Sequence, residues 1–565
     1  MSNLAPRTVS AAAALLIFSA ALHAQSSPPD AGKLLRDVER APALPPPAPP
    51  PATGPTRAPE ATAGPRVQVT AFKLTGVTLL PESELQTRLA PFIGSQAGLA
   101  DLQKAADAVA RRYQEAGYLV RAYLPEQPLR DGVVTIAVLE GRLAAIRVEQ
   151  APPGRHISES RVRDMMTARQ KIGAPVRADD VQRSIGLLNA MPGISASSVL
   201  EPGEQPGETR LVVAVKDEPS VTGQAQVDNG GARASGEWRA TGGISLNSPL
   251  RFGDQLQFFA SKSSGSTYGS AGYSVPLGND GLRGGLNVSR LTYGYDLAST
   301  RYTGAAGTWG AALTYPIARS QTFNLGVSAN YDRKSFDNAV AGVQINDKAV
   351  SVATLGFAGD AADNLLGGGL TQFSLTAMSG RLDLSRNAGD LAADQAAGGP
   401  QRQGHFQKIL WLLARSQRIA AADTLHLTFS GQRASRNLDS GEKFNVTGNN
   451  AVRAYSSSEP SGDDAELLSA EWRHQLSDRL SVSVFHDYAH LRRDHGVNNA
   501  SLSPNAYHLA SNGLGLGWGR ADTVLIRGAV AWRQGENPVR NAATGADSDG
   551  THRNPRFFIS LLKVF

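Results

Sequence analysis

From Val221 to Phe565 the chain alternates apolar and polar residues with a period of two, and few folds can use that pattern for so long. Phe323, Leu325, Val327, Ala329 and Tyr331 alternate with Thr322, Asn324, Gly326, Ser328 and Asn330. Leu425, Leu427, Phe429 and Gly431 alternate with Thr424, His426, Thr428, Ser430 and Gln432, and Val524, Ile526, Val530 and Trp532 with Thr523, Arg527 and Arg533. A soluble sandwich and a membrane barrel share this alternation, so connection lengths must separate them. Sixteen strands are expected, starting near 221, 237, 254, 268, 283, 308, 322, 346, 370, 405, 424, 465, 480, 508, 522 and 555. Every second connection is short, around Ser248–Gly253, Pro276–Gly281, Ile317–Gln321, Ile419–Asp423, Gln475–Arg479 and Gly519–Asp522, with one longer exception near 359–368. The others include long loops near 380–403, 435–462, 491–506 and 534–553. Short turns on one rim, long loops on the other and an even strand count predict a 16-stranded antiparallel outer-membrane β-barrel over residues 219–565.

The N-terminal residues fit an exported chain. Arg7, the apolar run Ala11–Leu22 and Ala24 read as a signal peptide over residues 1–24. No later apolar run reaches the roughly 18 residues of a membrane-spanning helix. The chain has no cysteine, which excludes disulfides, thiolate metal sites and a lipoprotein anchor. Its net charge of +6 is scattered rather than clustered, so no nucleic-acid partner is expected.

Residues 25–40 contain a short amphipathic helix, Asp30–Arg40, with Ala31, Leu34, Leu35 and Val38 on one stripe and Asp30 placed to cap its start. So short a helix is unstable alone and must dock. The Pro/Ala-rich stretch 41–65 reads as a semi-stiff spacer. Two α+β modules follow, over 66–141 and 142–218. In the first, the strand Val67–Leu74 precedes helices Pro81–Phe92 and Leu99–Glu115 and strands Leu119–Leu124 and Val133–Leu139. In the second the order repeats: Leu143–Glu149, Ser158–Ala168, Ala178–Ala190, Ile194–Leu200 and Thr209–Lys216. Tyr113 reads as a core residue.

The candidate site lies in the loop Ser435–Gly462, whose Val452-Arg453-Ala454-Tyr455 holds one arginine between apolar neighbours. Phe485-His486-Asp487-Tyr488-Ala489 is a strand with a lone carboxylate. An arginine on a loop and an aspartate on a barrel wall explain each other as a pair. If Asp487 points inward, His486, Tyr488 and His490 point outward to lipid, an unexplained cost of this register. A metal would need a third ligand, and none is found. Asp463, Asp464 and Glu466 sit at a loop end and are expected to be solvated. No phosphate loop, HExxH or nucleophile elbow occurs, so neither enzyme activity nor a cofactor is expected.

These motifs resemble the TpsB family of outer-membrane transporters for two-partner secretion (type Vb; FhaC/ShlB type), within the Omp85 superfamily. Val452–Tyr455 resembles the family's VRGY/F loop motif and Phe485–Ala489 its FxDxG strand motif, with Ala454 and Ala489 in place of glycine. Those alanines are expected to loosen the contact. The stretch Gly117–Gln127 and the junction Leu139–Leu143 resemble the family's POTRA domains. The resemblance implies POTRA modules followed by an all-β transmembrane barrel, with residues 25–40 as a plug helix seated through Leu34, Leu35 and Val38. It implies periplasmic capture of a TpsA-type exoprotein (haemolysin-, adhesin- or filamentous-haemagglutinin-like) through its N-terminal secretion domain. Phe565 would end a strand read by the barrel-assembly machinery, and outer-membrane lipid would surround the wall. The alternative is an Omp85-type assembly insertase; a diffusive porin would leave the modules and helix unexplained.

Overall fold

A sheet surrounded by lipid satisfies its backbone only by closing on itself. The computed structural model describes residues 28–39, 66–127, 131–150, 156–205, 207–297, 299–496, 504–520 and 522–565; the expected leader and spacer lie outside the described residues. Sixteen antiparallel strands run in chain order around a closed barrel. The first six are β1 (Val221–Asp228), β2 (Arg239–Asn247), β3 (Gln255–Lys262), β4 (Ser266–Pro276), β5 (Arg283–Leu297) and β6 (Thr300–Arg319). Next come β7 (Phe323–Val340), β8 (Val343–Asp363), β9 (Gly369–Asp383), β10 (Gly404–Arg418) and β11 (Asp423–Ala434). The last are β12 (Asp464–Ser477), β13 (Leu480–Arg492), β14 (Ala506–Gly519), β15 (Val524–Arg533) and β16 (Arg556–Val564). The turn expected to run long near 359–368 does not: β8 continues to Asp363 and residues 364–368 complete the connection.

At the seam, Ser560–Val564 pairs with Gln224–Asp228, and Phe565 exchanges backbone hydrogen bonds with Gly223 at 2.7 and 2.9 Å. A Cβ on Gly223 would come within 2.6 Å of the Phe565 ring, so this closure needs glycine. On the outer wall, Phe323 stacks on Phe373 near the short-turn rim, and Trp309 packs at a tilt against Tyr331 toward the other rim. Phe323 and Tyr331 lie about 27 Å apart along β7 at about 3.4 Å per residue, close to the expected apolar band once tilted.

The first module has a sheet ordered Ala71–Thr75, Val133–Glu140, Val120–Tyr123, packed on helices Glu82–Leu89 and Leu99–Glu115. The single strand expected over Val67–Leu74 is split. Val69 N–H donates to Ser95 O and Thr70 N–H to Gly132 O, so Val67–Gln68 pairs with Gln96–Ala97 before the chain joins the main sheet. Tyr113 is fully buried and its hydroxyl donates to Glu140 at 2.7 Å. The second module orders Arg142–Gln150, Glu208–Asp217, Ile194–Pro202 over helices Glu159–Thr167 and Ala178–Asn189. Leu119 N–H to Val176 O and Ala178 N–H to Gly117 O join the two modules. The second module sits on the short-turn rim. Arg169 makes two 2.9 Å hydrogen bonds to Asp280, and Arg183 donates to Pro316 O at 2.6 Å and Ile317 O at 3.0 Å.

The helix Ala31–Glu39 lies inside the barrel against β5, β6 and β7. Ala31, Leu34 and Leu35 are buried there among Leu291, Tyr293, Tyr295, Phe336 and Val350, with Val38 at the edge. Asp30 Oδ1 accepts from Lys33 N–H at 2.9 Å and so caps the helix.

Candidate functional site: the loop, the helix and the barrel wall

Strand β13 alternates strictly, which fixes what its side chains meet. Phe485, Asp487, Ala489 and Leu491 are buried inward, while Val484, His486, Tyr488 and His490 are exposed outward. The loop Ser435–Gly462 folds back into the lumen and presents Arg453 to this wall. Arg453 Nε and Nη2 donate to the two oxygens of Asp487 at 3.0 and 2.9 Å, and Arg453 N–H adds a third bond at 3.2 Å. Ser469 and Ser511 hydroxyls donate to the same carboxylate at 2.8 and 3.1 Å. The guanidinium carbon lies over Phe485, 3.2 Å from its ring centre. The Asp487 side chain is wholly inaccessible and that of Arg453 is 14% exposed, so the pair is shielded rather than bathed in lumen water.

The flanking motif residues supply the shield. Val452, Ala454 and Tyr455 are buried with Phe485, Ala489, Phe444 and Leu467 in one apolar cluster. Both alanines are fully buried beside the pair, and the ion pair has two-pronged geometry. Sequence reasoning missed a second acid. Glu471 Oε2 accepts from Arg453 Nη1 at 2.8 Å, and Arg473 Nη2 donates to its other oxygen at 2.7 Å. Its signal was register: Glu471 shares the lumen face of β12 with Ser469, the partner of Asp487. The outward histidines find polar company. His486 Nδ1 lies 2.8 Å from Asn512 Oδ1, and Tyr488 stacks with His508 at 6.3 Å.

Of the loop-end carboxylates expected to be solvated, the Glu466 side chain is 40% exposed, but Asp463 and Asp464 are buried. Asp463 is fully buried, paired with Lys443 at 2.9 Å and accepting from Leu438 and His495 N–H groups. Asp464 accepts from Ala434 N–H at 2.9 Å. Inward lysines that resembled ordinary polar alternation hold the rest of the loop. Lys334 and Lys408 pair with Glu442 at 2.9 and 2.8 Å, and Lys348 pairs with Asp439 at 2.6 Å. Burial would raise the Glu442 carboxyl, but the two lysines outweigh it and draw it down to about 2.

The same loop grips the lumen helix. Arg36 donates to Ser440 O at 2.8 Å, Lys443 O at 2.7 Å and Ser461 Oγ at 2.9 Å. Ser440 Oγ donates to Asp30 at 2.6 Å, and Lys348 lies 3.4 Å from Asp30. From the wall, Asn338 accepts from Ala31 N–H at 2.8 Å and Tyr295 donates to Pro29 O at 2.7 Å. A Cβ on Gly32 would come within 2.8 Å of Gly441 N, so helix and loop meet backbone to backbone. Helix, loop and wall thus form one interlocked unit across the lumen.

Residues 207–517 match the family described as haemolysin secretion/activation protein ShlB/FhaC/HecB, and residues 67–141 match a POTRA domain of ShlB type. Over 557 residues, covering 95% of each chain, the sequence is 26% identical to the heme/hemopexin transporter protein HuxB of Haemophilus influenzae strain 86-028NP. The structure resembles CdiB from Escherichia coli with a TM-score of 0.68 at 19% identity, over 94% of this chain and 95% of that one. BamA from Haemophilus ducreyi, lacking POTRA domains 1–3, gives 0.52 at 14% identity over 88% of this chain and 100% of that one.

Proposed function

This chain belongs to the ShlB/FhaC/HecB family of haemolysin secretion/activation proteins, and from that premise we propose how its own residues gate export. It is an outer-membrane β-barrel with periplasmic POTRA domains, and it secretes a partner exoprotein by two-partner secretion. The partner's N-terminal secretion domain is captured at the modules 66–141 and 142–218, whose edge strands Val120–Tyr123 and Ile194–Pro202 are open to an added strand. The helix Ala31–Glu39 is the plug, tethered by the spacer 41–65. It leaves the lumen during export while Arg453 and Asp487 keep the loop on the wall, and the cargo then passes as an extended chain.

Folding of the cargo outside supplies the direction, and the transporter performs no catalysis. The strand ending at Phe565 is recognised by the barrel-assembly machinery during biogenesis. The cargo is a large exoprotein of the haemolysin or adhesin type, a reading supported by the family's description as haemolysin secretion/activation proteins. An assembly insertase rests only on the weaker fold likeness to BamA.

The observation that carries this reading is the helix seated inside a closed barrel by contacts from both loop and wall. Deleting residues 30–40 is expected to raise single-channel conductance in planar bilayers while the barrel remains heat-modifiable. Unchanged conductance would remove the helix from the pore.

A further inference from the structure

The outer wall of β7–β11 carries arginines that export does not use. Arg333, Arg381 and Arg433 are all exposed, on the lipid-facing side of their strands. Register places Arg333 opposite Ser351 and Ser351 opposite Arg381. The two arginines are therefore two strands apart, about 10 Å. Arg333 donates to Ser351 Oγ at 3.3 Å, and Arg381 has no hydrogen bond or ion pair among the described residues. Arg433 pairs with Glu466 at 3.0 Å. Nearby on that rim, Asp347 is already engaged by Arg386 at 3.4 Å. Their height is set by the aromatic pair beside them. Trp309 faces Arg333 across the β6–β7 ladder and packs at a tilt against Tyr331, which ends the apolar run of β7 away from the short-turn rim. Below Arg333 and Arg381 lies an open groove of about 650 Å³, lined by Ala353, Leu355, Ala377, Ser379, Ile409 and Arg433.

We infer that this surface holds one lipopolysaccharide molecule of the outer leaflet, with its lipid A phosphates on Arg333 and Arg381 and an acyl chain in the groove. The inference rests on the outer-membrane placement of the barrel. Among the described residues, Arg381 feels the charge of Asp383 two residues along β9 but bonds to no carboxylate, and Arg333 bonds only to Ser351. Two such cations at the end of an apolar band suit an anionic lipid head, and a guanidinium binds phosphate through two parallel hydrogen bonds. Two arginines held apart by a serine favour a head bearing two separated phosphates over a glycerophospholipid with one. Small residues below them leave room for a chain, where larger side chains fill the neighbouring wall.

Native mass spectrometry of the full-length transporter, titrated with bis-phosphorylated lipid A, tests this. Each arginine at an anionic lipid surface contributes about fivefold in binding. The variant R333A/R381A is therefore expected to bind lipid A about 25-fold more weakly. R333Q/R381Q keeps side-chain length without the charge, should bind as weakly as R333A/R381A, and serves if the alanine variant assembles poorly. Dephosphorylated lipid A should bind as weakly as R333A/R381A binds the intact lipid, and phosphatidylglycerol should not compete. Unchanged lipid A binding by R333A/R381A, or equal binding of phosphatidylglycerol, overturns the inference. Heat-modifiability and closed-state conductance are read on the same samples, so a misassembled barrel or a wrong export reading is told apart from a missing lipid site.

Discussion

Arg453 is one cation facing two carboxylates, and that asymmetry ranks its substitutions. Arg453→Ala leaves Asp487 and Glu471 buried with two serine hydroxyls and Arg473, a loss of about 3–5 kcal/mol in loop docking. Asp487→Asn keeps the Glu471 contact and should cost about 1.5–3 kcal/mol. The double variant should be hardly worse than Arg453→Ala alone, because both remove one interaction. Arg453→Lys should not rescue, since an ammonium cannot match the two-pronged geometry or the contact over Phe485. Hydrogen exchange over residues 435–462, read beside secretion of the partner, checks this order; equal effects of Arg453→Ala and Asp487→Asn would contradict it. The pair itself was legible, because a loop arginine between apolar residues and a carboxylate on an alternating strand have few other uses. Glu471, Lys334, Lys348 and Lys408 were not, because a charge on the lumen face of a barrel strand reads as ordinary polar alternation. Their partners Asp439 and Glu442 lie in a loop with no periodicity to place them.

The helix and the second module are the two elements whose docking decides whether the pore is open. Gly32→Leu should unseat the helix and raise conductance without touching any ion pair, because only glycine allows the approach to Gly441. A variant that stays closed would show that the approach is not required. The ionic grip sets the pH response. Glu442 is drawn from its usual 4.5 down to about 2, so its contribution is complete above the ordinary carboxylate range and fades as pH falls toward 2. On the Glu442 pairs alone the closed state should hold above about pH 5, and conductance should climb as pH drops below about 4. A flat response down to about pH 3 would mean that these pairs do not hold the loop.

At the short-turn rim, Arg183→Ala leaves the buried Pro316 carbonyl and its neighbour without a donor, and should free the second module by about 1.5–3 kcal/mol. Asp280→Asn should do less. Its carboxyl, held down to about 2 chiefly by the Arg169 hydrogen bond, is partly exposed and screened. Hydrogen exchange over residues 161–183 separates the two, and a larger effect from Asp280→Asn would reverse the assignment. The helix stripe was readable from Ala31, Leu34, Leu35 and Val38. Its seat was not: near the long-loop rim the lumen faces of β5–β8 carry Tyr293, Tyr295, Phe336 and Val350, and an apolar interior hides the alternation there. The split of Val67–Leu74 was hidden too, since backbone bonds to Ser95 and Gly132 cannot be read from side-chain pattern.

On the scale of the whole molecule, period-two alternation and uneven connection lengths carried the barrel, its strand count and its closure, because a lipid-facing sheet has no other way to satisfy its edges. The interlocking of three distant segments in one lumen was not legible, since residues 30–39, 435–462 and the strand walls meet only after closure. That interlock makes one experiment decisive. The chain has no cysteine, and Ser440 Oγ lies 2.6 Å from Asp30 Oδ2. Asp30→Cys with Ser440→Cys, joined by a short reducible thiol crosslinker, ties the helix to the loop inside the barrel. If the helix must leave for cargo to pass, the crosslinked transporter should insert normally, remain at low conductance and export none of its partner, and reduction should restore export. Export by the crosslinked form at the rate of the reduced form would contradict the account.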